Sequence, residues 1–172
     1  MKKRISFKRF VAIQEALSRT SKVMKVHFEN PYIQNGDERF LQELVGYIKQ
    51  NISNSNFSVE ALSCEMNMGR VLLYKKVKFL TGKSPVEFIR AVRLQKAVQL
   101  LENTQMRVSL IASEVGFDTP HYFSKLFKKE YNIQPSVYMN FARKAKAEAL
   151  LNTHHQRISG KRLPLLKSKQ IN

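Results

Sequence analysis

From Asp37 onward, hydrophobic and polar positions alternate with the three-and-four spacing of helices. In DERFLQELVGYIKQNI, Phe40, Leu41, Leu44, Val45 and Ile48 share one stripe, and Asp37 and Glu38 stand in the first turn, where the helix dipole favours acids. SVEALSCEMN (58–67) and MGRVLLYKKVKFLTG (68–82) keep the same period. Asn67 lies between them and tolerates a left-handed turn better than most residues. A longer helix over 84–102 opens on Ser84-Pro85-Val86-Glu87: an N-cap, a proline at the first helical position and a glutamate that completes a capping box. Its stripe runs Phe88, Val92, Leu94/Gln95, Val98, Leu101. A second short pair, VSLIASEV (108–115) and Thr119 to Tyr131, is broken at Gly116, and a further helix starts near Pro135 and extends into FARKAKAEALLN. Upstream, residues 5–20 form an amphipathic pattern on Phe7, Phe10, Val11 and Leu17, and the stretch to Gly36, with Pro31 and Gly36 as breakers, reads as a linker. From Thr153 the chain has no period and reads as a basic tail. No segment alternates as a strand does, so the expected fold is all-α.

The two short pairs repeat each other. Shifted by 49 residues, Val59, Leu62, Glu65, Met66 and Asn67 fall on Val108, Ile111, Glu114, Val115 and Gly116. After one inserted residue, Leu73, Lys75, Val77 and Lys78 fall on Phe123, Lys125, Phe127 and Lys128, and Pro85 and Phe88 on Pro135 and Tyr138. Two unrelated amphipathic helices would match apolar positions. Matching the turn residue, the basic positions and the proline together points to a duplication. The repeated unit is a short helix, a tight turn and a second helix with a basic free face, which is the helix-turn-helix plan. Leu73, Val77 and Leu80 seat the second helix of one copy, and Phe123, Leu126 and Phe127 that of the other.

Charge sharpens this picture. Thirty Lys+Arg against thirteen Asp+Glu give +17, a balance that favours nucleic acid or an anionic surface as partner. The excess is concentrated at the ends: +6 over 1–36, +4 over 37–140 and +7 over 141–172. The middle must therefore act through the placement of its charges. Lys and Arg on the free faces (Arg70, Lys78, Lys128 and Lys129) would neutralise phosphates, while residues near the start of each second helix would reach base edges. The helix between the pairs, roughly 28 Å long at ~1.5 Å per residue, would hold them near the ~34 Å repeat of the major groove. No apolar run reaches the length of a membrane span, no secretory signal follows the basic start, and the single cysteine, Cys64, excludes an internal disulfide and reads as a small core residue. A cytoplasmic location is expected. No phosphate loop or zinc-ligand spacing is present, His154-His155 reads as a solvated pair, and no catalytic residues, metal, cofactor or small-molecule site is expected.

GRVLLYKKVKFLTGKSPVEFIRAVRLQKAVQLL and IASEVGFDTPHYFSKLFKKEYNIQPSVYM together resemble the AraC/XylS-type transcription-regulator DNA-binding domain over about 37–140. The wording is closest to the output domain of Bacteroides-type hybrid two-component regulators. The resemblance implies two helix-turn-helix subdomains (about 58–82 and 108–131) joined by a linker helix (84–102), about seven helices in all. Residues 1–36 would be a basic helix and linker, and 141–172 a basic extension. It implies a regulator that binds double-stranded DNA and works with RNA polymerase, without a sensor of its own or as a piece of a longer chain; a homodimer is left open. Carried over by position, its base-facing sites fall on Val71, Tyr74 and Lys75 in the first recognition helix. In the second they fall on Pro120, His121, Tyr122, Ser124 and Lys125. Two departures stand out. Gly69 replaces the usual Ser or Thr cap, and neither Val71 nor Pro120 can hydrogen-bond a base through its side chain. The competing reading is a basic helical protein that binds RNA or anionic membrane without sequence preference.

Overall fold

The computed structural model describes residues 35–159. Among these residues there are seven helices and no strand: α1 (Asn35–Gln50), α2 (Val59–Glu65), α3 (Arg70–Thr81), α4 (Pro85–Asn103), α5 (Val108–Glu114), α6 (Pro120–Tyr131) and α7 (Pro135–Ser159). The amphipathic pattern of 5–20 and the chain from Gly160 onward lie outside the described residues, as do the side chains of His154 and His155.

The helices form two cores that share α4. Phe40, Leu41, Leu44 and Ile48 of α1 pack with Leu62 of α2, Leu73, Val77 and Leu80 of α3, and Phe88, Ile89 and Val92 of α4. The second core begins two residues later, where Leu94, Ala97, Val98 and Leu101 meet α5, α6 and α7. Aromatic rings dominate it: Phe123 lies 5.3 Å from Phe117 and 5.6 Å from Phe127, and Phe127 lies 5.9 Å from Tyr138. Because different partners cover different sides of α4, its buried surface is wider than one stripe and takes in Ile89, Arg93 and Ala97. The expected capping box is present, with the Ser84 hydroxyl accepting from the Glu87 N–H and the Glu87 carboxylate accepting from the Ser84 N–H at 2.8 Å.

The duplication holds in the backbone. Asn67 and Gly116 both adopt positive φ, +48° and +76°. In each copy the residue at the turn donates to the carbonyl three back (Asn67 to Cys64, Gly116 to Ser113), and the next residue donates to the carbonyl five back (Met68 to Ser63, Phe117 to Ala112). This is the paired-bond Schellman ending of a helix, which satisfies the last carbonyls and turns the chain sharply. The correspondence includes a pair that the sequence comparison did not match, since Gly82 and Asn132, again 50 apart, both end the recognition helix in the left-handed region.

Three expectations are corrected. Gly36 is not a breaker but lies in the first turn of α1, outside the helix interior where the entropic cost of glycine is greatest. Cys64 is exposed rather than part of the core, because the two-turn helix α2 buries only Leu62 and Ser63. The last helix does not stop before Thr153. It runs to Ser159, with no proline or glycine between Pro135 and Ser159 to break it, and so crosses the expected boundary at 140/141.

Candidate nucleic-acid interface

Each recognition helix shows the solvent a face set by its buried one. In α3, Leu73 and Val77 are completely buried, which turns Val71 (70% exposed), Tyr74 (50% exposed) and Lys75 outward. In α6, buried Phe123 and Phe127 leave His121, Tyr122 and Lys125 exposed, with Ser124 half-buried. Pro120 occupies the first helical position, where its missing N–H costs nothing, and the Thr119 hydroxyl caps the helix by accepting from the Tyr122 N–H at 3.2 Å. Gly69 offers α3 no such side-chain bond.

Between the two units lies an open cleft of about 960 Å³. Val71, Tyr74 and Lys75 of α3 line it together with Tyr122 of α6, and Arg90 and Arg93 of α4 form part of its wall. Four of the eight expected base-facing residues therefore share one concavity. Pro120, His121, Ser124 and Lys125 do not line it.

The expected phosphate-facing residues differ in their state. Arg70 is engaged by Glu60 at 2.7 Å, with both side chains largely exposed. Hydrogen bonds from its own backbone N–H, then from Arg70 and Ser58, hold the Glu60 carboxyl below the ordinary carboxylate range. Lys78 donates to the Gly82 carbonyl at 2.7 Å, at the end of its own helix. Lys128 and Lys129 are exposed in the last turn of α6. Lys76, equally basic in sequence, is half-buried against α1, 3.1 Å from Asp37 and 4.5 Å from the centre of the Phe40 ring.

Sequence reasoning assigned no role to Arg90 and Arg93. The Arg90 guanidinium lies 5.7 Å from the centre of the Tyr122 ring, joining the linker helix to the start of α6. Arg93 is 7% exposed and donates to two carbonyls, Asn54 at 2.6 Å and Gly116 at 3.0 Å. Burial disfavours its charge, and the nearby Asp118 carboxylate favours it. The available signal was an arginine flanked at four-residue spacing by Ile89 and Ala97, inside the apolar surface of α4.

Residues 62–140 match the helix-turn-helix domain family. The chain is 41% identical over 104 residues to histidine kinase P4 of Formosa agariphila, a match that covers 60% of this chain and 8% of that relative. It therefore spans a small part of the kinase's length. Among solved structures it is similar to the C-terminal domain of AraT, a response regulator from Geobacillus stearothermophilus. The two are 30% identical with a TM-score of 0.55, over 63% of this chain and 87% of that one. It is also similar to the DNA-binding domain of AdpA, a global transcriptional factor solved in complex with a target DNA. There the identity is 25% and the TM-score 0.58, over 62% of this chain and 96% of that one. Duplicated Schellman turns, two recognition helices with matched seating and these likenesses meet in one conclusion: the chain belongs to the family of AraC-type helix-turn-helix DNA-binding domains.

Proposed function

We propose that the chain binds double-stranded DNA in a sequence-specific manner and regulates transcription, with α3 and α6 seated in successive major grooves. The observation that carries the reading is the duplicated unit, in which identical turn bonding presents two helices with outward residues able to meet bases. The complex of the related AdpA domain with its target DNA supports it. In this reading Val71 meets a thymine methyl, and Tyr74, Lys75, His121, Tyr122, Ser124 and Lys125 offer hydrogen bonds or stacking to base edges. Pro120 contributes shape only. Lys128 and Lys129 hold phosphates as they stand, whereas Arg70 and Lys78 would first exchange Glu60 and the Gly82 carbonyl for the backbone of DNA. The chain acts by binding rather than by catalysis, in the cytoplasm, and RNA polymerase is its expected second partner.

A gel shift compares duplex promoter DNA, single-stranded RNA and anionic vesicles. Sequence-dependent retention of duplex is expected, and equal binding to all three would sink the reading. Within the duplex arm, Lys125→Ala should cost ~1–3 kcal/mol on the preferred sequence and relax preference in one half of the footprint. Lys129→Ala should weaken all sequences alike and lower the salt slope by about one. An unchanged footprint and preference in Lys125→Ala would remove α6 from base reading.

A further inference from the structure

The two cores have no buried residue in common, and α4 passes from one to the other between Val92 and Leu94. The residue at that passage is Arg93. Its two bonds end on different units: Asn54 lies in the loop between α1 and α2, and Gly116 is the turn residue of the second helix-turn-helix. The backbone is drawn close there as well, since a Cβ on Gly116 would stand 2.4 Å from the Ile52 carbonyl oxygen. Apolar seating of each unit on α4 is non-directional. A guanidinium is different, because its planar fork of donors meets two acceptors only in a narrow range of geometries. Arg90 against Tyr122 adds a second tie from the same helix to the start of α6.

We propose that Arg93 is a positioning residue that sets the angle between the two recognition helices and thereby the base-pair spacing at which one chain engages two half-sites. The inference rests on the reading that α3 and α6 both enter major grooves. Each added base pair moves the second half-site by ~3.4 Å and turns it by roughly 35°. A rigid pair of helices loses simultaneous engagement on such a change, and with it the gain that linked binding modules derive from geometry. A pair freed at Arg93 can follow the shift but binds the natural spacing less tightly.

The experiment uses the full chain and duplexes it selects from a random pool, each then altered by inserting or deleting one central base pair or by scrambling one half. Affinity is read by fluorescence anisotropy. The unaltered chain should lose about tenfold or more on either spacing change. Arg93→Met should bind the selected spacing about tenfold more weakly and bind all spacings within about threefold of one another, with affinity for the one-half duplex unchanged. A merely destabilising role would weaken binding to the one-half duplex as well and leave the spacing preference as it was. Arg93→Lys keeps the charge but replaces the planar fork with a single ammonium on a flexible stem, so it decides the matter where Arg93→Met fails to fold. Relaxed spacing is expected, and retained discrimination overturns the proposal. If the unaltered chain ignores spacing and needs only one half-site, the two-groove reading falls and the proposal with it. Equal spacing sensitivity in the unaltered chain and the Arg93 variants overturns the proposal alone.

Discussion

Gly116→Ala tests the junction at its most crowded point, and Gly82→Ala is its control. Both glycines sit at positive φ, +76° and +70°. An alanine held in the left-handed region costs ~1–2 kcal/mol through the contact of its Cβ with the following carbonyl. At Gly82 an added Cβ meets nothing within 4 Å, so that cost is the whole expectation. At Gly116 the Cβ would stand 2.4 Å from the Ile52 carbonyl oxygen and 2.9 Å from Cζ of Arg93. The first belongs to the backbone, and the second cannot retreat without leaving the Asn54 and Gly116 carbonyls. Hydrogen bonds to a charged group are worth ~1.5–3 kcal/mol each, so losing one and weakening the other places Gly116→Ala roughly 2–4 kcal/mol below Gly82→Ala. The assay is urea unfolding of both variants followed by circular dichroism. At a slope of about 2 kcal/mol/M, the two midpoints should separate by about 1–2 M. In an Arg93→Met background the gap should narrow, because part of what the methyl displaces is already gone. Midpoints that coincide would refute the claim that the second turn is wedged against Arg93 and the α1–α2 loop.

Two further outcomes follow from the helix starts. Gly69 begins α3 in an extended conformation with open space at its Cβ and no side-chain cap, so Gly69→Ser should raise stability by a few tenths of a kcal/mol; a lowered melting temperature would contradict that geometry. The Ser84 backbone N–H, followed by its hydroxyl, holds the Glu87 carboxyl below the ordinary carboxylate range. A carboxyl depressed in the folded state contributes stability that is fully present above its unfolded pKa and is lost as pH falls through the folded one. Glu87→Gln should therefore be less stable than the unaltered chain at neutral pH, with the difference closing in acid. A difference independent of pH would show that the charge on the capping box contributes nothing.

Much of this protein is legible in its sequence because the information is local or repeated. Helix period, the Ser84-to-Glu87 cap, the Pro120 start and the seating of Phe123 and Phe127 depend on residues within a few positions of one another. The duplication then adds a comparison that no single helix provides. It marks Asn67 and Gly116 as equivalent turns, and the shared bonding pattern bears this out. The exposed state of Cys64 was not legible, because a seven-residue helix has too few positions for its period to say which side is covered. Nor was the continuation of α7 to Ser159, since the sequence past Asn152 carries no apolar period to mark it as helix. What only the tertiary structure decided is how equal-looking charges divide. Lys76 joins Asp37 across to α1, Arg70 is held by Glu60, Lys78 ends its own helix, and Lys128 and Lys129 remain exposed. The sequence alone determined that there are two like units with a helix between them. It left their mutual setting undetermined, because that depends on a guanidinium at position 93 meeting carbonyls at 54 and 116, 39 residues behind it and 23 ahead. Contacts at such separations have no period to announce them; they exist only once the chain has brought both turns to the same side of α4.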